Sequence, residues 1–578
     1  MNMISIKFNG SEYSVPRGIT ILAAAQETQK LIQEFRQVVI PTIYYLKGIN
    51  DTDESGVCVV EVDGELVNAS TTRVKDGMEI LTKSEKVMAA RKEALAKILA
   101  VHDRDCVNCA RTANCELQEL LHTYGFTNEP TLPKSDYVEI DTSSKVLVRD
   151  NNKCIKCGRC IDVCAKVQAV SAITATGEGL EMEVTPSCSK GLAASSCVNC
   201  GQCIAVCPVG ALTEKYSVDE VNAALADPEK LVIVEVAPAV RAALGENFEF
   251  PIGVDVEGKI AAALRELGFD KVCDTKFAAD LCIMEEANEF IDRLQNDGVL
   301  PLMTSCCPAW VKYAEHFYPD MLPNLSTCKS PQQMFGSIAK SYYAEKLGKA
   351  KKDIVVVSVM PCVAKKFELT RPELAGDVDY SITTNELAYM MKEAGIQLEA
   401  MPNEAFDAPM GIGTGAGVIF GATGGVMEAA LRTAVEKLTG EELTALDFTD
   451  VRGMNGVKEA SYEVAGTTVK VAVVSGLANA NALLTRIKSG EADYQLVEVM
   501  ACPGGCVNGG GQPHQFAGVR AIVNVPGERA AALYKNDAKS AVRKSHENEA
   551  VAELYSTYLG QPGSEKAHEL LHTTYHKR

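Results

Sequence analysis

The sequence predicts a multidomain protein of α+β and α/β class, with a small β-rich N-terminal domain, two cysteine-rich domains and a large α/β region. Three observations carry this. At ~150 residues per domain, 578 residues correspond to about four domains, and 47% apolar content suffices for several cores. Residues 102–215 hold twelve of the 21 cysteines, bunched at two- and three-residue gaps. Beyond them, buried-strand patterns such as LVIVEVAP (231–238) and IVVVSVMP (354–361) alternate with helical stretches. Boundaries follow at 1–80, 81–142, 143–215 and 216–578.

In the first segment Ile4, Ile6 and Phe8 alternate before an Asn9-Gly10 turn, and Tyr13 and Val15 follow it, which signals a hairpin. A helical stretch begins near Ile19. Strands at about Val57–Val62 and Leu66–Ala69, joined by Asp63-Gly64, complete a β-grasp domain arranged like a plant-type ferredoxin. From Thr82 to Ala100, Val87, Ala90, Leu95, Ile98 and Leu99 recur at helical spacing, while Lys83, Lys86, Arg91, Lys92 and Lys97 are charged. That helix runs into the first cysteine cluster.

A net charge of −19 repels a phosphate backbone, so nucleic acid is not an expected partner. No stretch reaches the ~18 consecutive apolar residues of a membrane span, so no membrane association is expected. The opening MNMISIKFNGSEYSV lacks the basic and apolar regions of a secretion signal, and a cytoplasmic location is expected. In a reducing compartment, bunched cysteines point to metal or redox chemistry rather than disulfides.

Cys154, Cys157, Cys160 and Cys164 form C-x2-C-x2-C-x3-C, and Cys197, Cys200, Cys203 and Cys207, followed by Pro208, repeat it. This is the two-cluster bacterial ferredoxin pattern, in which the fourth cysteine of each run reaches across to the other 4Fe-4S cluster. The assignment is therefore Cys154, Cys157, Cys160 and Cys207 to one cubane, and Cys197, Cys200, Cys203 and Cys164 to the other. Structural zinc takes paired knuckles rather than duplicated four-cysteine runs. Upstream, His102, Cys106, Cys109 and Cys115 offer four ligands in fourteen residues. Spacing alone fits zinc as well as iron there, and the position beside two cubanes favours a third 4Fe-4S cluster.

Three clusters in series make a wire. In the large region, Thr304-Ser305-Cys306-Cys307-Pro308, Met360-Pro361-Cys362-Val363-Ala364-Lys365-Lys366-Phe367-Glu368 and Met500-Ala501-Cys502-Pro503-Gly504-Gly505-Cys506 place cysteines in loop-like contexts. These three stretches resemble the three signatures of the iron-only (FeFe) hydrogenases, and with the cluster order the similarity covers essentially the whole chain. The resemblance implies that Cys307, Cys362, Cys502 and Cys506 hold a further 4Fe-4S cubane. It also implies that Cys506 bridges to a two-iron subsite carrying CO, cyanide and an azadithiolate, the pair forming the H-cluster. Cys306 resembles the family's non-ligating cysteine, which exchanges a proton with the bridging amine.

The resemblance further implies a proton relay from Cys306 through Glu286, Ser326, Glu289 and Arg293. Glu286, Glu289 and Arg293 share a helical face by spacing, which is also the pattern of a merely solvated acidic face. Lys365 and the Ala237-Pro238 backbone match positions that hydrogen-bond cyanide, and Gln332, Met360, Phe420 and Met500 match the pocket wall. Expected partners are protons and H2, ferredoxin as electron carrier, docking on the locally basic 82–100 helix, and hydrogenase maturation proteins. Longer members hold a 2Fe-2S cluster in the N-terminal domain, but the aligned positions here are Tyr44, Ser55, Cys58 and Ser70, so no 2Fe-2S cluster is expected. His568-Glu569-Leu570-Leu571-His572 spells a zinc-protease motif six residues before the last, with no room expected downstream for a third ligand or a supporting domain, and is read as a terminal helix. Cys188, Cys273, Cys282 and Cys328 have no ligand partners by spacing and are read as structural. The reading is a reversible hydrogenase; a hydrogen sensor and a non-catalytic iron-sulfur assembly factor are the alternatives.

Overall fold

A computed structural model describes residues 2–32, 40–112, 114–127, 137–177, 181–188 and 190–578. β1 (Met3–Phe8) and β2 (Ser11–Pro16) pair antiparallel across Asn9-Gly10, and both turn residues take positive φ, as a tight hairpin turn requires. β3 (Val59–Val62) and β4 (Glu65–Asn68) form a second hairpin, and β5 (Glu79–Leu81) lies between the two in the order β2-β1-β5-β3-β4. Ile21, Leu22, Ala24 and Ala25 of α1 (Ile21–Ile32) pack with Ile4, Ile6, Val60 and Ile80 of the sheet. This is the β-grasp arrangement.

α2 (Glu85–Leu99) starts at Ser84, whose hydroxyl accepts from Val87 N, a satisfied N-cap. Its buried face, Ala94, Leu95, Ile98 and Leu99, meets Ile43, Leu46 and Val57 before it and Leu117, Leu121, Ile155, Ile204 and Leu212 after it, in a single core. The N-terminal and cysteine-rich segments are therefore packed as one body. Arg91 belongs to that buried face: it donates to Val59 O and Tyr124 Oη. Arg91 is therefore withdrawn from the basic face expected for docking on this helix, because the carbonyl at the start of β3 and a phenol satisfy the guanidinium inside.

α3 (Glu116–Thr123) follows the first cysteine cluster. The duplicated cysteine runs are framed by two antiparallel ribbons, β6 (Leu147–Arg149) with β9 (Leu212–Glu214), and β7 (Ile173–Thr176) with β8 (Glu183–Pro186).

The large region is built on two four-stranded sheets. In the first, β10 (Leu231–Val236), β11 (Lys271–Asp274), β13 (Ile354–Met360) and β14 (Tyr380–Thr383) are all parallel in the order β11-β10-β13-β14. β10 and β13 are its central strands and nearly all their residues are buried, which explains their unbroken apolar runs. In the second, β12 (Leu302–Met303), β17 (Leu496–Met500) and β16 (Thr467–Ser475) are parallel, and β15 (Val457–Val464) is antiparallel at one edge. Among the described residues no helix is long and apolar enough to cross a membrane.

Candidate active site

Ligands of parallel sheets bind beyond the carboxyl ends of the strands, and here two sheets aim such ends at one place. β10 runs into Ala237-Pro238, β13 into Pro361-Cys362, β12 into Cys306-Cys307, and β17 into Ala501-Cys502. Ala237, Pro238, Gln332, Met360, Lys365, Phe420 and Met500 line one cavity together with Cys306, Cys307, Cys362, Cys502 and Cys506. Trp310 Nε1 donates to Thr304 O at 3.0 Å, and Thr304 Oγ1 accepts from Val499 N at 3.1 Å, which ties the loop carrying Cys306 to β17. Gly505 has φ +97°, and a Cβ there would lie 2.6 Å from Thr423 N; only glycine lets the chain pass here to present Cys506.

Burial pushes up the thiols of Cys307, Cys362, Cys502 and Cys506, Cys362 to about 12, and the Cys307 thiolate adds to the rise at the other three. Four such groups in one buried space need a cation among them to stay deprotonated. An iron-sulfur cubane meets that need, and backbone N–H groups of Ala309, Trp310 and Ala501 already face the Cys307 sulfur, as N–H groups do around cluster sulfurs. Lys365 Nζ donates to Cys306 O at 3.1 Å and to Glu368 Oε2 at 3.0 Å. Burial opposes its charge, and Glu368 more than offsets that, so the ammonium persists. Gln332 donates to the same Glu368 oxygen at 2.9 Å and accepts from Ser358 at 2.8 Å.

Glu286, Glu289 and Arg293 lie along one face of α4 (Lys276–Gln295). Burial, then the Glu289 charge, pushes the Glu286 carboxyl up to about 8, and it faces the Ser326 hydroxyl. Ser326 Oγ donates to Glu289 Oε2 at 3.0 Å, and Arg293 Nη2 to Glu289 Oε1 at 2.5 Å. Burial, then the Glu286 charge, raises the Cys306 thiol, which places Cys306 at the inner end of this line. Two neighbours escaped the sequence reading. Cys328 Sγ lies 3.8 Å from Glu289 Oε2, and His572 bonds Thr327 Oγ1 through Nδ1 at 2.8 Å and Glu285 Oε2 through Nε2 at 3.1 Å. The terminal helix α5 (Glu565–Leu571) ends at His572, so the motif at 568–572 folds against Glu285, Glu289 and Thr327. The readings of Cys328 as only structural and of the motif as only a terminal helix are thereby widened.

The accessory cysteines fall into successive groups. Cys106 and Cys115 both sense Cys109, and His102 Nδ1 pairs with Lys153 O at 2.8 Å, which fixes the orientation of the ring. Cys160 senses Cys157, Cys154 and Cys207; Cys203 senses Cys200, Cys197 and Cys164. Cys154, Cys157 and Cys160 line one small cavity together with Cys207 from the other run. The groups also touch in order. Arg111 Nη2 donates to Cys207 O at 3.2 Å, Cys203 senses Cys207, and Cys200 senses Cys362. The last step is a backbone contact, since a Cβ on Gly510 would lie 2.6 Å from Gly201 Cα.

Among its described residues the N-terminal domain lacks such a donor set. Around Cys58, Asp53 is fully buried, and its carboxylate accepts from the N–H groups of Ile43, Tyr44 and Tyr45 at 2.8 to 3.1 Å and from Ser55. Ser70 Oγ accepts from Asp53 N, and Tyr44 Oη donates to Ile155 O at 2.7 Å. The positions aligned with cluster ligands thus surround a carboxylate, and one thiol with two hydroxyls and a phenol does not fit a 2Fe-2S cluster.

A family model described as the iron-only hydrogenase large subunit, C-terminal domain, matches residues 230–510, and one for the iron hydrogenase small subunit matches 524–578. The iron hydrogenase 1 of Clostridium pasteurianum is 44% identical over 100% of both chains. The chain belongs to the iron-only hydrogenases. It is an FeFe hydrogenase in function, interconverting protons and H2 at an H-cluster supplied by accessory 4Fe-4S clusters. Other models match in the order of the wire: a 2Fe-2S iron-sulfur cluster binding domain at 1–85, an NADH-ubiquinone oxidoreductase-G iron-sulfur binding region at 91–130 and a 4Fe-4S dicluster domain at 153–211. The first match identifies the fold of a 2Fe-2S domain, while the side chains around Asp53 do not supply its ligands. The NADP-reducing hydrogenase subunit HndD of Solidesulfovibrio fructosivorans is 48% identical over 100% of both chains. An [FeFe]-hydrogenase structure from Chlamydomonas reinhardtii matches at TM-score 0.55 and 44% identity, covering 62% of this chain and 98% of that one. The cytosolic iron-sulfur assembly component 3 of Bos taurus is 32% identical over 61% of this chain and 75% of its own length, a weaker likeness than that to the hydrogenases.

Proposed function

We propose that in this FeFe hydrogenase Cys307, Cys362, Cys502 and Cys506 would hold the H-cluster cubane, and that Cys506 would also serve the two-iron subsite. That subsite supplies the chemistry that joins or splits H2. The convergence of four strand ends from two sheets on one cysteine-lined cavity carries the reading. Lys365 offsets cluster charge and, with the Ala237-Pro238 backbone, faces the space for the cyanide ligands, while Gln332, Met360, Phe420 and Met500 wall it against water.

Protons reach Cys306 from Glu286, which receives them from Glu289 across the Ser326 hydroxyl; Arg293, bonded to the Val299 and Pro323 carbonyls, holds Glu289 at the outer end. A carboxyl pushed up to about 8 is matched to passing protons near neutrality. His102, Cys106, Cys109 and Cys115 would hold the outermost cluster, Cys154, Cys157, Cys160 and Cys207 a second and Cys164, Cys197, Cys200 and Cys203 a third, and the three would supply one-electron carriers leading to the H-cluster pocket. The functional units are 1–80, 81–142, 143–215 and 216–578. The electron carrier is a ferredoxin docking on α2, dedicated maturation proteins install the two-iron subsite, and the enzyme works in the cytoplasm. Cys306→Ala in the cluster-loaded protein tests the active-site reading: hydrogen evolution falls by at least about 10²-fold with iron content unchanged, and near-normal turnover removes Cys306 from the proton path.

A further inference from the structure

Outside the H-cluster pocket, a second cluster of potential ligands gathers at the outer end of the proposed relay. Three side chains from separate parts of the chain meet there: Glu289 on α4, Cys328 two residues past Ser326, and His572 at the end of α5. Their donor atoms, one carboxylate oxygen, one sulfur and one ring nitrogen, all lie within 4.8 Å of one another. This is a borderline-soft set of the kind zinc prefers.

Two further features suit a ligand. Glu289 Oε2 and Cys328 Sγ are 3.8 Å apart, close to the ~3.5 Å edge of a tetrahedron built with bonds of about 2.0 and 2.3 Å. His572 gives Nε2 to the Glu285 carboxylate at 3.1 Å, and Glu285 is itself held by Tyr555 Oη and Gly563 N. A carboxylate behind a histidine is the usual outer support of a metal-bound imidazole, and it fixes the tautomer whose Nδ1 carries a lone pair. At present Nδ1 pairs with Thr327 Oγ1, a hydroxyl that can rotate away. Arg293 engages the other oxygen of Glu289, Oε1, so Oε2 can take a cation without breaking that ion pair.

We propose that Glu289, Cys328 and His572 form a binding site for a divalent cation of the zinc class, and that filling it closes the outer end of the proton path. On binding, the Cys328 S–H bond breaks, its proton leaves to solvent, and the thiolate, imidazole nitrogen and carboxylate oxygen bind the cation with water at the fourth position; no electrons move. Glu289 Oε2, the oxygen that accepts from Ser326, is then held by metal and no longer relays. Turnover becomes sensitive to free zinc without any change at the iron clusters. The proposal rests on the relay reading above.

The test uses the cluster-loaded, matured enzyme. Zinc sulfate added during viologen-driven hydrogen evolution should inhibit, and EDTA should restore the rate. Cys328→Ser and His572→Gln should each raise the zinc concentration for half-inhibition by at least about tenfold. Zinc-edge X-ray absorption should show one bound zinc with a single sulfur neighbour, lost in Cys328→Ser; if that variant does not fold, His572→Gln reads the same weakening. Inhibition and a sulfur shell unchanged in both variants would overturn the site. Zinc bound through Cys328 with turnover unaffected would overturn the closure. In that case a Glu286→Gln variant with normal turnover would place the failure in the relay itself.

Discussion

In the proposed relay, Glu286 is the residue on which proton traffic turns. Glu286→Gln keeps the shape and removes the titrating oxygen, so hydrogen evolution should fall by about 10² to 10⁴-fold with iron content intact; a near-normal rate would remove the relay. Its raised value also fixes the pH dependence. Below about 8 the carboxyl is protonated and can deliver a proton inward, so the rate of proton reduction should decline as pH rises through about 8. Glu289→Gln removes a neighbouring negative charge and should move that decline to lower pH; an unmoved profile would separate the two carboxyls. The same shift affects stability. The folded value lies above the ordinary one, so folding favours the protonated carboxyl, and this contribution falls as pH rises from the usual carboxylate range through about 8. The three members on α4 were legible in the sequence because i, i+3 and i+7 share a helical face. Ser326 came only from the family resemblance. Cys328 and His572 were noted in the sequence but not placed beside Glu289, because they reach it from segments 39 and 283 residues away, a proximity that only the tertiary fold creates.

At the scale of elements, one buried network fastens four segments. Arg159 donates to the Tyr44 and Tyr45 carbonyls and makes a two-pronged ion pair with Glu116 on α3, which also meets His514 Nε2 at 3.2 Å. Burial alone would raise Glu116, but the Arg159 guanidinium prevails and holds it at about 2. A depressed carboxylate stabilises the fold above its ordinary range, and the contribution is lost as pH falls toward about 2. Glu116→Gln leaves Arg159 buried without its counter-charge and should cost about 3 to 5 kcal/mol in urea unfolding of the cluster-loaded protein; a loss below about 1 kcal/mol would show that water or backbone carbonyls suffice. Nothing local in the sequence marks Arg159, which sits between two cysteines. β10 and β13 were legible as strands because central parallel strands are apolar on both faces. β5 and β12 span too few residues for a period of two to show. Arg91 misled because helical spacing assigns faces but does not reveal which polar partners a neighbouring sheet offers.

For the whole molecule, the account is a wire of accessory cubanes ending at an H-cluster, with an N-terminal domain that keeps the fold of a 2Fe-2S carrier around Asp53. The dithionite-reduced protein should therefore show no 2Fe-2S signal in electron paramagnetic resonance, and its appearance would contradict the carboxylate-filled site. Electron entry is tested separately. Lys86 is largely exposed and Lys92 is exposed, whereas Arg91 is buried, so reversing Lys86 and Lys92 to glutamate should weaken ferredoxin-linked turnover and spare viologen-linked turnover. Equal effects on both would remove α2 as the docking face. The paired cubanes were readable from cysteine spacing, because a cubane demands its ligands at short fixed intervals, whereas the cluster at His102 was read from its position beside them. The meeting of Cys307, Cys362, Cys502 and Cys506 was not, since two sheets must fold before those loops share a cavity.

The most direct measurement is hydrogen evolution from reduced viologen by the protein matured anaerobically, beside an active FeFe hydrogenase as control. The account predicts sustained turnover from the chain as it stands, with its accessory cubanes and no 2Fe-2S cluster. Full occupancy of the cubanes with no hydrogen produced, while the control turns over, would contradict it.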